Sequence, residues 1–312
     1  MDEMIRAIEN EVGKAVLGKE TIIRKVLAVA VAGGHVLLED IPGVGKTTLA
    51  LAFSKALDLE FKRVQFTPDV VPSDVTGFSV YNRENGQFVY QPGAAMCNIL
   101  LADEINRTSS KTQSALLEVM QEGRITVDGV TRKVPDPFLV IATQNPIGTA
   151  GTQRLPEAQL DRFMVQLSIG YPGKEAEIAL LKDRRKEDPL DTLQAVADAS
   201  GLLHLKQKAQ SVYADDKIYT YVTELCERTR NHELIRLGLS PRASLALCAL
   251  ARAKALIEGR EYVVPGDVAD SFADVGRHRL ILSPKAQMER RDADSILAEV
   301  LEETPLPEIR LQ

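Results

Sequence analysis

The stretch Gly34-His35-Val36-Leu37-Leu38-Glu39-Asp40-Ile41-Pro42-Gly43-Val44-Gly45-Lys46-Thr47 decides the fold. Its first half is a short apolar run of the kind that makes a buried strand, and its second half is a turn carrying two glycines. The next segment is helical, because Leu49, Phe53 and Leu57 recur at a spacing that puts them on one face. Strand, glycine-rich turn and helix in that order is the setting of a P-loop. Gly43 and Gly45 let the backbone curl until its N–H groups converge on a phosphate, and the helix start adds a favourable dipole. In that arrangement Lys46 reaches the β- and γ-phosphates and Thr47 ligates magnesium. The strict pattern has glycine where this chain has Asp40, so the match is imperfect at its first position.

Working outward, apolar runs at 36–38, 64–66, 99–102, 138–142 and 164–169 are separated by helical patterns. That alternation predicts a parallel sheet with helices on both faces. Two helices precede it, one over 4–16 and one from Thr21 as N-cap to Ala30, closed by Gly33 and Gly34. The third run ends in Asp103-Glu104, where Asp103 can hold a magnesium-bound water and Glu104 can polarise an attacking one. One of Thr108, Ser109 and Ser110 is better placed than either carboxylate to cap the next helix. The fourth run enters Gln144-Asn145-Pro146, and an Asn at the carboxyl edge of a parallel strand can reach the γ-phosphate. Arg162 precedes the last run. Arg242 sits in the first turn of a helix with Ser240 as N-cap and Pro241 at its first position. Taken alone, each arginine reads first as a surface ion-pair residue; beside the other motifs, either can neutralise charge on a transferred phosphoryl group.

Two hairpins interrupt the alternation: 78–81 with 87–90 turning at Asn85-Gly86, and 124–127 with 130–133 turning at Asp128-Gly129. After Tyr171-Pro172-Gly173 the strand signals stop and the pattern is helical, including the Ser240 helix with Leu245, Leu247, Leu250 and Ile257 as its apolar residues and Gly259 at its end. The expected organisation is an α/β core over 1–172, a link over 173–189 and an all-α domain over 190–312. With 45% hydrophobic and 26% charged residues in a chain of 312, there is ample core for both. No run approaches 18 apolar residues and the start lacks a signal-peptide pattern, so a cytoplasmic protein is the expectation. Three scattered cysteines, Cys97, Cys226 and Cys248, suit a reducing compartment and make neither a disulfide framework nor a zinc site. A net charge of -6 and a pI near 5.5 argue against nucleic acid as a partner. The basic run 182–186 is broken by Asp183 and reads as a solvated helix face.

The order of these pieces resembles an AAA+ ATPase, and in detail the MoxR family, over about 16–282. The most specific stretches are Gly34 to Glu39 leading into the P-loop, Leu101-Ala102-Asp103-Glu104-Ile105-Asn106-Arg107, Ala142-Thr143-Gln144-Asn145-Pro146 and Tyr262-Val263-Val264-Pro265-Gly266-Asp267-Val268. The resemblance implies an AAA+ core with a five-stranded parallel sheet between helices, β-hairpin inserts and an all-α lid. It implies ATP and magnesium as cofactors: Val16, Leu17 and Gly18 near the adenine, and Pro42, Gly43, Val44, Gly45, Lys46, Thr47 and Thr48 around the phosphates. Thr47 and Asp103 would hold the metal. It casts Lys46 as the Walker A lysine, Glu104 as the Walker B base, Asn145 as sensor 1, Arg162 as the arginine finger and Arg242 as sensor 2. The two hairpins match the helix-2 insert and the pre-sensor-1 hairpin, elements that face a ring pore or a client.

Such proteins look like rings, usually hexamers, in which Arg162 completes the neighbouring subunit's site, and they act as chaperone-like remodellers of client proteins. The clients often carry a von Willebrand factor A domain or are metal or cofactor enzymes. Residues of the nucleotide site do not separate this reading from a magnesium-chelatase-like motor subunit. A DNA-translocating motor would share both hairpins; the acidic charge opposes it, although Arg83, Arg132 and Lys133 would make the tips basic. A scaffold that binds ATP without hydrolysing it is the alternative of another class, and the presence of Glu104, Asn145 and Arg162 weighs against it.

Overall fold

A computed structural model describes residues 3–41, 43–84, 86–144, 155–183 and 188–308. Helices α1 (Glu3–Ala15) and α2 (Glu20–Ala32) come first. Strand β1 (Val36–Glu39) enters the glycine-rich turn and α3 (Lys46–Ala56) leaves it. Next are β2 (Phe61–Gln65), the short α4 (Pro72–Thr76) and the hairpin β3 (Gly77–Asn82) and β4 (Gln87–Pro92). Strand β5 (Ile99–Asp103), α5 (Ser110–Glu122) and the hairpin β6 (Arg124–Val127) and β7 (Val130–Lys133) come after them. Strand β8 (Leu139–Gln144), α6 (Glu157–Leu160) and β9 (Val165–Leu167) complete the sheet, and α7 (Lys174–Asp183) leads away from it. The remainder is α8 (Ala199–Ser211), α9 (Asp216–Arg230), β10 (Ile235–Leu237), α10 (Pro241–Ile257), α11 (Pro265–Gly276), β11 (Ile281–Leu282), α12 (Pro284–Met288) and α13 (Ala293–Glu303).

The central sheet has the order β2-β5-β8-β1-β9, with every pair parallel, so β1 and its turn lie inside the sheet. Side chains alternate across it with the period of a strand. Val36, Leu38, Ile99, Leu101, Leu139, Ile141, Val165 and Leu167 join one core with α1, α2 and α3, while Leu37, Leu100, Ala102, Val140 and Ala142 join a second with α5 and the β6–β7 hairpin. The first core continues into Leu202, Leu247 and Leu297, so the C-terminal helices pack on the same hydrophobic body as the sheet. Leu49, Phe53 and Leu57 are fully buried and hold α3 in place, each contributing about 1.5–3 kcal/mol. Residues 188–197 run back along this helix: Lys55 Nζ donates to Leu190 O at 2.7 Å and the Val196 N–H to Ala56 O at 2.9 Å.

Several local expectations are met. Gly33 closes α2 with φ 75°; Ser109 and Ser240 accept N–H groups of the first turns of α5 and α10. Asp128 and Gly129 form a two-residue turn with φ values of 52° and 76°, matching the right-handed strand twist.

Others need correction. Thr21 is not an N-cap, because α2 already begins at Glu20, after Lys19, whose ammonium is tied to the carbonyls of Ile169 and Tyr171. Strand β2 starts at Phe61 rather than at 64; among the described residues it pairs only with β5, and an edge strand tolerates the polar Lys62 and Arg63. Pairing in the first hairpin runs one residue beyond the expected 81, with Asn82 opposite Gln87. Arg132 and Lys133 are at the root of the second hairpin, not its tip, since they pair with Ile125 and Arg124; the Arg132 guanidinium lies 4.0 Å from the Tyr90 ring centre. Leu245 is 73% exposed and belongs to no core. Among the described residues beyond 190 the elements are helices, with the short antiparallel pair β10–β11 as an addition to the all-α expectation. Pro42, Asn85, Asn145, Pro146 and most of the basic run at 182–186 lie outside the described residues.

Candidate active site

The phosphate turn and the acidic pair meet at the carboxyl edge of the sheet, where β8 alone separates β1 from β5. Gly43 and Gly45 have φ values of 87° and 93°, and a Cβ at either would enter open space. The backbone therefore curls with a clear concave side, a cradle of the kind phosphate oxygens occupy. Gly45 caps α3 without any side-chain bond, leaving the helix's first N–H groups for an anion. Lys46 Nζ donates to Asp40 O at 2.9 Å and Ile41 O at 3.4 Å, so the lysine folds over the turn's own carbonyls. Thr47 and Thr48 lie in the first turn of α3.

At the end of β5 both Asp103 oxygens are engaged: Oδ1 accepts from Thr143 Oγ1 at 2.7 Å and Oδ2 from Arg63 Nη2 at 2.7 Å. Glu104 lies in the left-handed region at φ 57°, a conformation that costs a non-glycine residue on the order of 1 kcal/mol. Thr143 compensates by accepting the Glu104 N–H at 2.8 Å. The Glu104 carboxylate accepts from Gln65 Nε2 and Arg107 Nη1, both at 2.9 Å. Arg63, Gln65, Arg107 and Thr143 thus form a polar frame that sequence reading did not identify. Gln65 and Thr143 stand near the ends of the strands that flank β5, and Arg107 and Thr143 fall within the motif stretches quoted above, but nothing in those stretches gave them this task.

Magnesium and ATP fit these residues. Among the described residues no group of three or more His, Cys, Asp and Glu could cage a metal. Magnesium characteristically takes one or two protein oxygens and completes its shell with phosphate and water. Thr47 and Asp103 would supply such a pair. Val16 and Gly18 precede Lys19, which holds Ile169 and Tyr171 at the same carboxyl edge, and a Cβ on Gly18 would meet Ala176 of α7 at 2.9 Å. Leu17 lies between them, half-buried.

The two arginines are elsewhere. Arg162 and Arg242 line one cavity of about 310 Å³ together with Gly33, Gly34, His35 and Met164, which precede β1 and β9. This is the amino edge of the sheet, removed from Lys46 by the length of β1, roughly 13 Å for four residues. Asp161 lines the same cavity, 3.7 Å from Arg242 Nη1, accepting from Ser240 Oγ at 3.1 Å and Arg279 Nε at 2.7 Å. Arg279 is buried and also donates to the carbonyls of Asp161, Phe163 and Met164. Burial pulls its guanidinium pKa down, and the Asp161 contact opposes that. The structure therefore groups Arg162 with Arg242 and does not bring either to the chain's own phosphate turn. Asn145 lies outside the described residues. His35 fastens the base of β1: it accepts the Val140 N–H at Nδ1 and donates from Nε2 to Met120 O, while burial lowers its pKa from 6.5 to about 4.

Comparisons with known proteins agree with the fold. Residues 35–165 match the model of the ATPase family associated with various cellular activities, and 227–300 match an AAA lid domain. An uncharacterised Bacillus subtilis protein, YeaC, is 47% identical over 97% of this chain and 94% of its own length. Chaperone MoxR1 of Mycobacterium tuberculosis is 38% identical over 96% of this chain and 81% of its own length, and protein MoxR of Paracoccus denitrificans is 34% identical over 92% and 91%. A crystal structure from Cytophaga hutchinsonii, described there as a candidate ATPase, superposes with a TM-score of 0.91 at 36% identity over 98% of this chain and 95% of that one. The chain belongs to the MoxR family of AAA+ ATPases.

Proposed function

We propose that this protein binds magnesium-ATP at the β1–α3 turn and hydrolyses it in a ring, usually a hexamer, to remodel or mature client proteins. The observation that carries this is the convergence of Lys46, Thr47, Asp103 and Glu104 at one edge of the sheet. Gly43, Val44, Gly45, Lys46 and Thr48 would hold the phosphates, with Pro42 completing the turn. Thr47 and Asp103 would hold magnesium, which neutralises charge on the β- and γ-phosphates when bound. Glu104 would accept a proton from the attacking water, its carboxylate aimed by Gln65 and Arg107. Asn145 would orient that water.

Arg162 and Arg242 sit too far from their own turn to act there, so in this reading both serve the adjacent subunit's nucleotide. A head-to-tail contact that closes on itself yields a ring. We read 1–172 as the nucleotide-binding core, 173–189 as the link and 190–312 as the lid. The name of the mycobacterial relative supports a chaperone role, with von Willebrand factor A domains and metal or cofactor enzymes as the client classes. Cys97, Cys226 and Cys248 are all unpaired, which favours a reducing compartment such as the cytoplasm. Among the described residues no helix is long and apolar enough to cross a membrane.

The test is phosphate release by wild type and by Glu104→Gln. Turnover should fall by at least about a hundredfold while ATP binding persists. Undiminished turnover in the variant, or none in wild type, would overturn the reading.

A further inference from the structure

Asp40 breaks the strict phosphate-turn pattern, and its surroundings give it a task. Its side chain is buried, and one oxygen, Oδ2, collects three donors from a single short segment on the neighbouring strand's exit. These are Ser168 Oγ at 3.2 Å, the Ile169 N–H, and the Gly170 N–H at 3.0 Å. The segment is where the chain leaves the sheet: β9 ends at Leu167, Gly170 turns with φ 64°, and α7 begins at Lys174. Lys19 grips the same segment from its other side, donating to Ile169 O at 2.6 Å and Tyr171 O at 2.7 Å.

Asp40 is also attached to the phosphate turn through its main chain, for its carbonyl accepts Lys46 Nζ at 2.9 Å. One residue therefore carries the P-loop lysine on its carbonyl and the exit to α7 on its carboxylate. Lys46 Nζ is folded back onto the carbonyls of Asp40 and Ile41, so an ammonium that swings out to a phosphate is drawn off the Asp40 carbonyl. We infer that Asp40 is a positioning residue that couples phosphate occupancy of the turn to the conformation of the exit segment 168–173, and through it to α7. This inference rests on the ATP-binding reading above. It assigns the signal a route along the carboxyl edge, independent of Arg242 at the opposite edge. A carboxylate suits the position because it only accepts, and hydrogen bonds from N–H groups to an ionised acceptor are the stronger kind. Glycine, the strict motif's residue, would leave the Ile169 and Gly170 N–H groups without their partner.

The experiment is hydrogen exchange of the amides at 168–173, with and without a non-hydrolysable ATP analogue and magnesium, on full-length wild type, Asp40→Asn and Lys19→Met. Analogue affinity is measured on the same samples by fluorescence titration. In wild type the analogue should change exchange at Ile169 and Gly170 by about tenfold or more. Asp40→Asn should bind the analogue within about threefold of wild type yet lose that change, which is the signature of lost coupling. Lys19→Met, which leaves the Asp40 contacts in place, should keep the change.

A merely structural role for Asp40 would raise exchange equally with and without analogue and leave the change intact in Asp40→Asn, overturning the inference. So would a wild-type segment that does not respond to bound analogue, a result that requires no variant to fold. Absence of analogue binding by wild type would overturn the ATP-binding reading and the inference together.

Discussion

Lowering the pH from 7 to 5 should destabilise this protein through His35, the fastener at the base of the phosphate-turn strand. The folded imidazole has a pKa of about 4 against 6.5 for a free histidine, chiefly because burial penalises its charged form, with Lys206 adding repulsion. The sign comes from proton counting. Between these two values the unfolded chain binds a proton that the folded chain does not, so stability falls as pH drops through 6.5 and levels off below 4. The two pKa values set a loss of about 2 kcal/mol between pH 7 and pH 5, beyond roughly 0.2 kcal/mol already lost at pH 7. His278 acts in the same direction, since burial also lowers its pKa well below 6.5. Urea unfolding at the two pH values, on wild type and His35→Gln, measures the effect; dilute protein is needed because the pI is near 5.5. Gln can still donate to Met120 O and accept from Val140, but does not titrate. The variant's pH-dependent loss should be smaller than wild type's by about 2 kcal/mol. Equal losses in the two proteins would refute the assignment of this proton to His35.

Further outcomes are expected. Thr143→Val removes the acceptor of the Glu104 N–H and a donor to Asp103; it should cost about 1–3 kcal/mol in urea unfolding and lower phosphate release. Asp267→Ala leaves Arg260 without its bidentate partner and removes the cap of α11. That should cost about 3 kcal/mol by thermal or urea unfolding. A Cβ at Gly93 would lie 2.3 Å from Gly77 N and 2.4 Å from Val75 O. Gly93→Ala should therefore displace the β3–β4 hairpin, seen as faster hydrogen exchange over 77–92, while ATP binding is retained.

The sheet was legible because each of its strands carries apolar residues and each is followed by a turn or helix signal. Leu37, Leu38, Leu100, Leu101, Val140 and Ile141 mark positions where two faces are buried at once. Caps at Ser109 and Ser240 and the left-handed turn at Gly33 were readable for the same reason, since their physics is confined to four or five residues. The frame around Glu104 was not, because Gln65 and Thr143 each stand 39 positions away from it. Asp40 could be seen as an oddity but not explained, as its partners lie 128 to 130 residues further on. Leu245 misled because helical periodicity reports an apolar residue without saying whether a neighbour covers it. Arg162 and Arg242 were both singled out from sequence, yet their gathering around Asp161 at the amino edge is a product of how the lid helices dock. No local pattern encodes that docking.

A working site shared between two subunits can be rebuilt from two inactive variants mixed together. Glu104→Gln lacks the base of its own site and Arg162→Ala lacks the group offered to a neighbour. An arginine finger accounts for about 10³ to 10⁵ in rate, so each should be nearly inactive alone. Mixed in equal amounts in a ring, about a quarter of the interfaces would pair an intact Glu104 with an intact Arg162. Phosphate release should therefore rise from the background of either variant to about a quarter of the wild-type rate. If the mixture stays inactive at every ratio while the variants still co-assemble, or if Arg162→Ala alone keeps wild-type turnover, the shared site is contradicted.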